Sequence, residues 1–74
     1  MFIQASGGRF AVELKGTIGV SKMENTGEYK LSCMYDNGRT SILAVFDNEM
    51  EARQELNYIL DRYDKGDRLY IINK

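Results

Sequence analysis

A chain of 74 residues has room for one domain around one modest core, and folding buries only about 60 % of the surface its unfolded form exposes. A single cysteine excludes an intrachain disulfide, and the lack of histidine excludes the commonest zinc arrangements and the usual base of serine or cysteine nucleophiles. Ten basic residues against eleven acidic ones, interleaved along the chain, speak against nucleic acid as a partner, whose electrostatic footprint is a basic patch or stripe.

The N-terminus carries neither a basic region nor an apolar run, so no secretory signal is expected, and no stretch approaches the roughly 20 apolar residues of a membrane span. The expectation is a cytoplasmic protein whose residues 1–74 form a single domain, without cofactor, metal or small-molecule ligand.

Phe2 to Ala5 reads as a short strand, and Ser6-Gly7-Gly8-Arg9 as the tight turn that follows it. From Arg9 the chain alternates, with Phe10, Val12 and Leu14 on one side and Ala11 and Glu13 on the other, a half-buried strand by its period of two. Lys15-Gly16 marks a bend or bulge. A further extended segment from Thr17 to Met23 carries Ile18 and Val20 on one side, and Glu24 to Glu28 is a loop.

The clearest hairpin signal lies between Tyr29–Tyr35 and Thr40–Phe46, which flank Asp36-Asn37-Gly38-Arg39. Asn-Gly at the tip predicts a two-residue type I′ turn. That turn pairs Tyr35 with Thr40, Cys33 with Ile42, Leu31 with Ala44 and Tyr29 with Phe46, all on the core face. Met34, Leu43 and Val45 then fall on the opposite face.

Asn48 with Glu51 three residues on has the spacing of a capping box. Ala52, Leu56, Ile59, Leu60 and Tyr63 follow as one apolar helical stripe. Glu49–Arg53 and Asp61–Lys65 are opposite charges at i, i+4, and Gly66 is the natural stop. Arg68 to Asn73 closes the chain as a short strand that is apolar on both parities and so wants cover on two sides.

No residue constellation carries catalytic chemistry. Cys33 falls between Leu31 and Tyr35 on the core side of its strand and reads as a small buried hydrophobe. Gly7-Gly8 lacks the spacing and the following helix of a phosphate loop. Asp36-Asn37-Gly38 lacks the closing glutamate of a calcium loop. The acidic residues Asp47, Glu49, Glu51 and Glu55 suit the positive end of a helix dipole better than a metal. Tyr58, opposite the apolar stripe, is an ordinary exposed aromatic.

A strand and glycine turn, a Tyr-Lys strand, an Asp-Asn-Gly turn, a strand ending Phe46-Asp47 and a helix opening Asn-Glu-Met-Glu-Ala together resemble a loose group of small bacterial and mobile-element proteins. The resemblance covers Met1 to Tyr63 and rests on capping and core positions, so it implies a layout and no functional residue. The chain departs from that layout in its glycine-rich 16–20 segment and its apolar tail.

These readings converge on an α+β fold, an antiparallel sheet of about four to five strands packed on one helix with a short C-terminal strand. The expected core is Phe10, Val12, Leu14, Tyr29, Leu31, Cys33, Ile42, Ala44, Phe46, Ala52, Leu56, Ile59, Leu60 and Tyr63. One helix covers one face of such a sheet, which leaves Met34, Leu43, Val45, Tyr70 and Ile72 as a candidate interface. The expected function is a non-enzymatic protein-interaction module whose partner is a protein, a second copy of the chain first among them. Single-stranded nucleic-acid binding through a sheet face and inhibition of a host protein are the alternatives. If the sheet curls instead, the second face becomes the interior of a barrel.

Overall fold

The computed structural model describes residues 1–73. Strands β1 (Phe2–Gln4), β2 (Ala11–Glu13), β3 (Thr17–Lys22), β4 (Tyr29–Met34) and β5 (Thr40–Phe46) precede helix α1 (Glu49–Asp64), and β6 (Leu69–Ile71) follows it. The class is α+β with one helix, as expected. In place of one sheet of four to five strands, the described residues form two sheets of three, in the orders β2-β1-β6 and β3-β4-β5.

The division falls at Gly16. Its φ of 72° lies in the left-handed region, and a β-carbon there would stand 2.3 Å from the carbonyl oxygen of Met34. Only glycine lets the chain leave β2, pass this close to the end of β4 and start a second sheet. The C-terminal strand does not extend the meander. It joins β1 in parallel, with Phe2 opposite Leu69, Ile3 opposite Tyr70 and Gln4 opposite Ile71.

The β4–β5 hairpin follows the expected register only in its inner half. Leu31 faces Ala44 and Tyr29 faces Phe46, but Cys33 faces Ser41 and Met34 faces Thr40. Gly38 N–H donates to the Tyr35 carbonyl (2.9 Å) and Tyr35 N–H to the Arg39 carbonyl (2.8 Å), which closes a loop of Asp36, Asn37 and Gly38. Gly38 alone takes positive φ, at 83°, so the turn is not type I′, which needs it at both central residues. The longer loop shifts the outer half by one residue, and a β-bulge at Leu43 restores the pairing at Leu31–Ala44.

That bulge reverses two side chains. Leu43 is 1 % exposed and lies in the core, whereas Ile42 is 43 % exposed. Leu43 is therefore not an interface residue, because the extra residue turns it inward beside Ala44. Burial of this kind contributes roughly 1.5–3 kcal/mol for a leucine.

One contiguous core joins Ile3 and Ala5 of the first sheet's side, Leu31, Cys33, Leu43, Ala44 and Phe46 of the second, Ala52 and Ile59 of α1, and Ile72. Val12, Leu14, Tyr29 and Leu56 pack at its margin as half-buried members. Phe10, Ile42, Leu60 and Tyr63, expected inside, are exposed. Along α1, burial runs through Ala52 and Ile59 and ends there.

The helix termini are built as the sequence predicts. Asn48 Oδ1 accepts the Glu51 N–H at 2.9 Å. At the other end Gly66, at φ 84°, donates to the Tyr63 carbonyl and Asp67 to the Arg62 carbonyl, both 3.1 Å, the bond pair of a Schellman motif. Lys65 Nζ pairs with Asp61 at 3.0 Å, while Glu49 and Arg53 do not reach ion-pair distance. Among the described residues, no helix is long and apolar enough to cross a membrane.

Candidate interaction surface

The five residues expected at an interface do not share one surface. Met34 is exposed and Val45 half-buried, both on the outer face of β3-β4-β5. There the rows across the strands read Thr17-Met34-Thr40, Gly19-Ser32-Ile42 and Ser21-Lys30-Val45. Across the strands threonine, serine or lysine stands opposite each apolar residue of this face, while along β5 Ile42 and Val45 follow one another outward across the bulge and line a shallow concavity with Phe10. Ile72 is 3 % exposed and belongs to the core, and so, like Leu43, is not available to a partner.

Tyr70 is half-buried, and its hydroxyl donates to Glu55 Oε2 of α1 at 2.5 Å. Burial, followed by this hydrogen bond and the Glu55 charge, pushes the Tyr70 phenol far above its ordinary ionisation range. The contact ties β6 to the helix and decides which side of β6 faces in. Tyr70 and Ile72 turn toward the core, and by the period of two Leu69 and Ile71 turn out.

The outer face of β2-β1-β6 therefore carries an apolar strip along β6 and the start of β1. Phe2 is 50 % exposed, and its parallel neighbour Leu69 and the next outward residue Ile71 are 49 % and 46 % exposed. Tyr63, also exposed, lines a shallow depression with Met1, Phe2, Gly66, Asp67 and Arg68. A second open groove runs along β6 and is bounded by Tyr58, Asp61 and Arg62 of α1. Phe2, Leu69 and Ile71 have no place among the residues the sequence singles out, and Tyr63 is there assigned to the core. The tail's apolar run gave the signal, but its two parities were indistinguishable until Glu55 selected one.

Other concavities offer less. A depression on α1 is lined by Glu49, Met50, Arg53, Gln54, Leu56 and Asn57, all from the helix itself. Among the described residues no three His, Cys, Asp or Glu side chains converge on a metal-sized site. Glu55 of the acidic helix start is engaged by Tyr70, and Tyr58 accepts a hydrogen bond from Gln54 at 3.1 Å. Cys33 is buried and unpaired, and burial raises its thiol's ionisation range. Comparison with known protein families, curated proteins and solved structures yields no match.

Proposed function

We propose that this protein is a small cytoplasmic protein-interaction module that associates with itself through the outer face of β2-β1-β6. The observation that carries the reading is the apolar strip of Phe2, Leu69 and Ile71, each about half exposed, bordered by Glu13 beyond Phe2 and by Gln4 beside Ile71. Contiguous apolar surface left outside a soluble domain is characteristic of interaction sites, whereas single apolar residues scattered among polar ones are ordinary. On the opposite sheet's outer face threonine, serine or lysine stands opposite each of Met34, Ile42 and Val45 across the strands.

Light scattering on purified protein from low micromolar to millimolar concentration tests this. The expected result is a mass that rises toward the dimer, and a Leu69→Glu variant whose dissociation constant is about tenfold or more weaker, as for removal of a central contact. A wild-type chain that stays monomeric throughout removes the reading. Leu69 is about half exposed, so the substitution leaves the core intact and does not confound loss of association with loss of fold.

A further inference from the structure

Asn37 is followed by glycine, and none of Asn25, Asn48, Asn57 and Asn73 is. It lies in the exposed Asp36-Asn37-Gly38 loop of the β4–β5 hairpin, where a β-carbon on Gly38 would meet nothing within 4 Å. Its side chain is turned back on the loop, and Oδ1 accepts the Arg39 N–H at 3.0 Å. The ring closed by this Asx turn contains the Gly38 nitrogen, so the carboxamide carbon Cγ is folded to the side of that nitrogen. The same bond has a second effect. Oδ1 is the atom that gathers negative charge when the Gly38 nitrogen attacks Cγ, and a backbone N–H already aimed at a developing oxyanion lowers that barrier.

The other asparagines lack this combination. Asn48 Oδ1 is turned to the Glu51 N–H at 2.9 Å, away from the nitrogen of its own neighbour. Asn57 lies inside α1, where the helix fixes the backbone, and Asn25 is followed by Thr26, whose β-branched side chain crowds the approach. One bond opposes the reaction at Asn37, since the Gly38 N–H donates to the Tyr35 carbonyl at 2.9 Å. Such a bond is worth about 0.5–1.5 kcal/mol net, so opening it slows the attack by no more than roughly tenfold.

We infer that Asn37 is a self-modification site, a deamidating residue that ages the hairpin without an enzyme. The Gly38 nitrogen gives up its proton and forms a bond to Cγ of Asn37. The Cγ–Nδ2 bond breaks and ammonia leaves, which closes a succinimide ring. Water then opens the ring. Attack at Cγ yields aspartate, whereas attack at the former Asn37 backbone carbonyl yields isoaspartate, with the chain running through Cβ and Cγ. Either product adds a negative charge to the chain's net charge of -1. Isoaspartate also lengthens the backbone of the loop by one atom and takes Oδ1 out of the Asx turn. The length of this loop is what pairs Cys33 with Ser41 and leaves the bulge that turns Leu43 inward. The isoaspartyl chain is therefore less stable than an aspartyl chain of the same charge.

Incubation of the full chain in neutral buffer, followed by tryptic mass mapping, tests the site. Cleavage after Lys30 and Arg39 isolates residues 31–39, in which Asn37 is the sole asparagine. Conversion of its amide to a carboxyl is expected at a rate within about tenfold of that in the free 31–39 peptide, the margin set by one backbone bond. The peptides carrying Asn25, Asn48 and Asn57 should stay unchanged over the same period. Slower conversion than this, or conversion that favours another asparagine, overturns the site. Anion exchange then separates the converted chains, and an isoaspartyl methyltransferase assay identifies the isoaspartate-rich fraction. That fraction is expected to unfold at lower urea concentration than the Asn37→Asp variant, which carries the same charge on an unaltered backbone. Coincident unfolding curves overturn the coupling between the modified loop and the hairpin register.

Discussion

The hydroxyl of Tyr70 donates a hydrogen bond to Glu55, fifteen residues earlier in the chain, and so fastens the last strand to the helix. Everything outward-facing on β6 follows from that fastening, since a strand with one side pinned inward has no choice about the other.

Tyr70→Phe is expected to lower stability by about 1.5–3 kcal/mol, the range for a hydrogen bond to a charged group. The contribution also carries a pH signature. The folded state raises the Tyr70 ionisation above its ordinary value of 10.0, so the stabilisation is fully present below about pH 10. It is lost as the pH climbs beyond that toward the folded-state value. Urea denaturation between pH 8 and pH 11 should show the wild type losing stability more steeply than Tyr70→Phe above about pH 10. Parallel curves would remove the phenol from the account.

Leu43→Ala should destabilise by about 2–5 kcal/mol, the cost of emptying a core site, while Ile42→Ala changes stability by less than about 1 kcal/mol. Thermal or urea unfolding of the two variants compares them directly. The reverse ranking would mean that the hairpin keeps one register throughout, with no bulge.

Gly16→Ala should be the most damaging of the glycine substitutions. It combines left-handed strain of roughly 1–2 kcal/mol with a β-carbon driven against the Met34 backbone. Gly27→Ala, at φ 75° with open space around it, carries only the strain term. Equal losses in the two variants would deny the close approach that separates the sheets.

Cys33, enclosed by the core, should react with thiol reagents only as fast as the protein opens, and denaturant should accelerate the reaction in step with unfolding. Fast labelling under native conditions would contradict its burial.

Much of the fold is legible in the sequence because its signals are local. The α1 boundaries follow from Asn48 and Gly66, and the Leu31–Ala44 and Tyr29–Phe46 pairs follow from alternation near the centre of the hairpin. What is not legible depends on small differences between turns or on distant partners. Asp36-Asn37-Gly38 suits both a two-residue and a three-residue loop, and one residue of difference exchanges Ile42 for Leu43 in the core. Phe10, Leu60 and Tyr63 continue apolar patterns past the point where anything covers them. The outward parity of β6 was undecidable because Leu69, Tyr70, Ile71 and Ile72 are all apolar in bulk, and only the Tyr70 hydroxyl, paired across the fold, distinguishes them.

The parallel pairing of Phe2 with Leu69 has a kinetic consequence. These partners stand 67 positions apart, so β1 cannot bond to β6 until nearly all of the described chain has been synthesised. The β3-β4-β5 meander and α1 contain their own short-range contacts and can assemble first. Loop closure over such a distance is the slow step in folds rich in non-local pairing. Until it happens, β1 shows a bare side to the solvent, and the newly made protein is at its most adhesive.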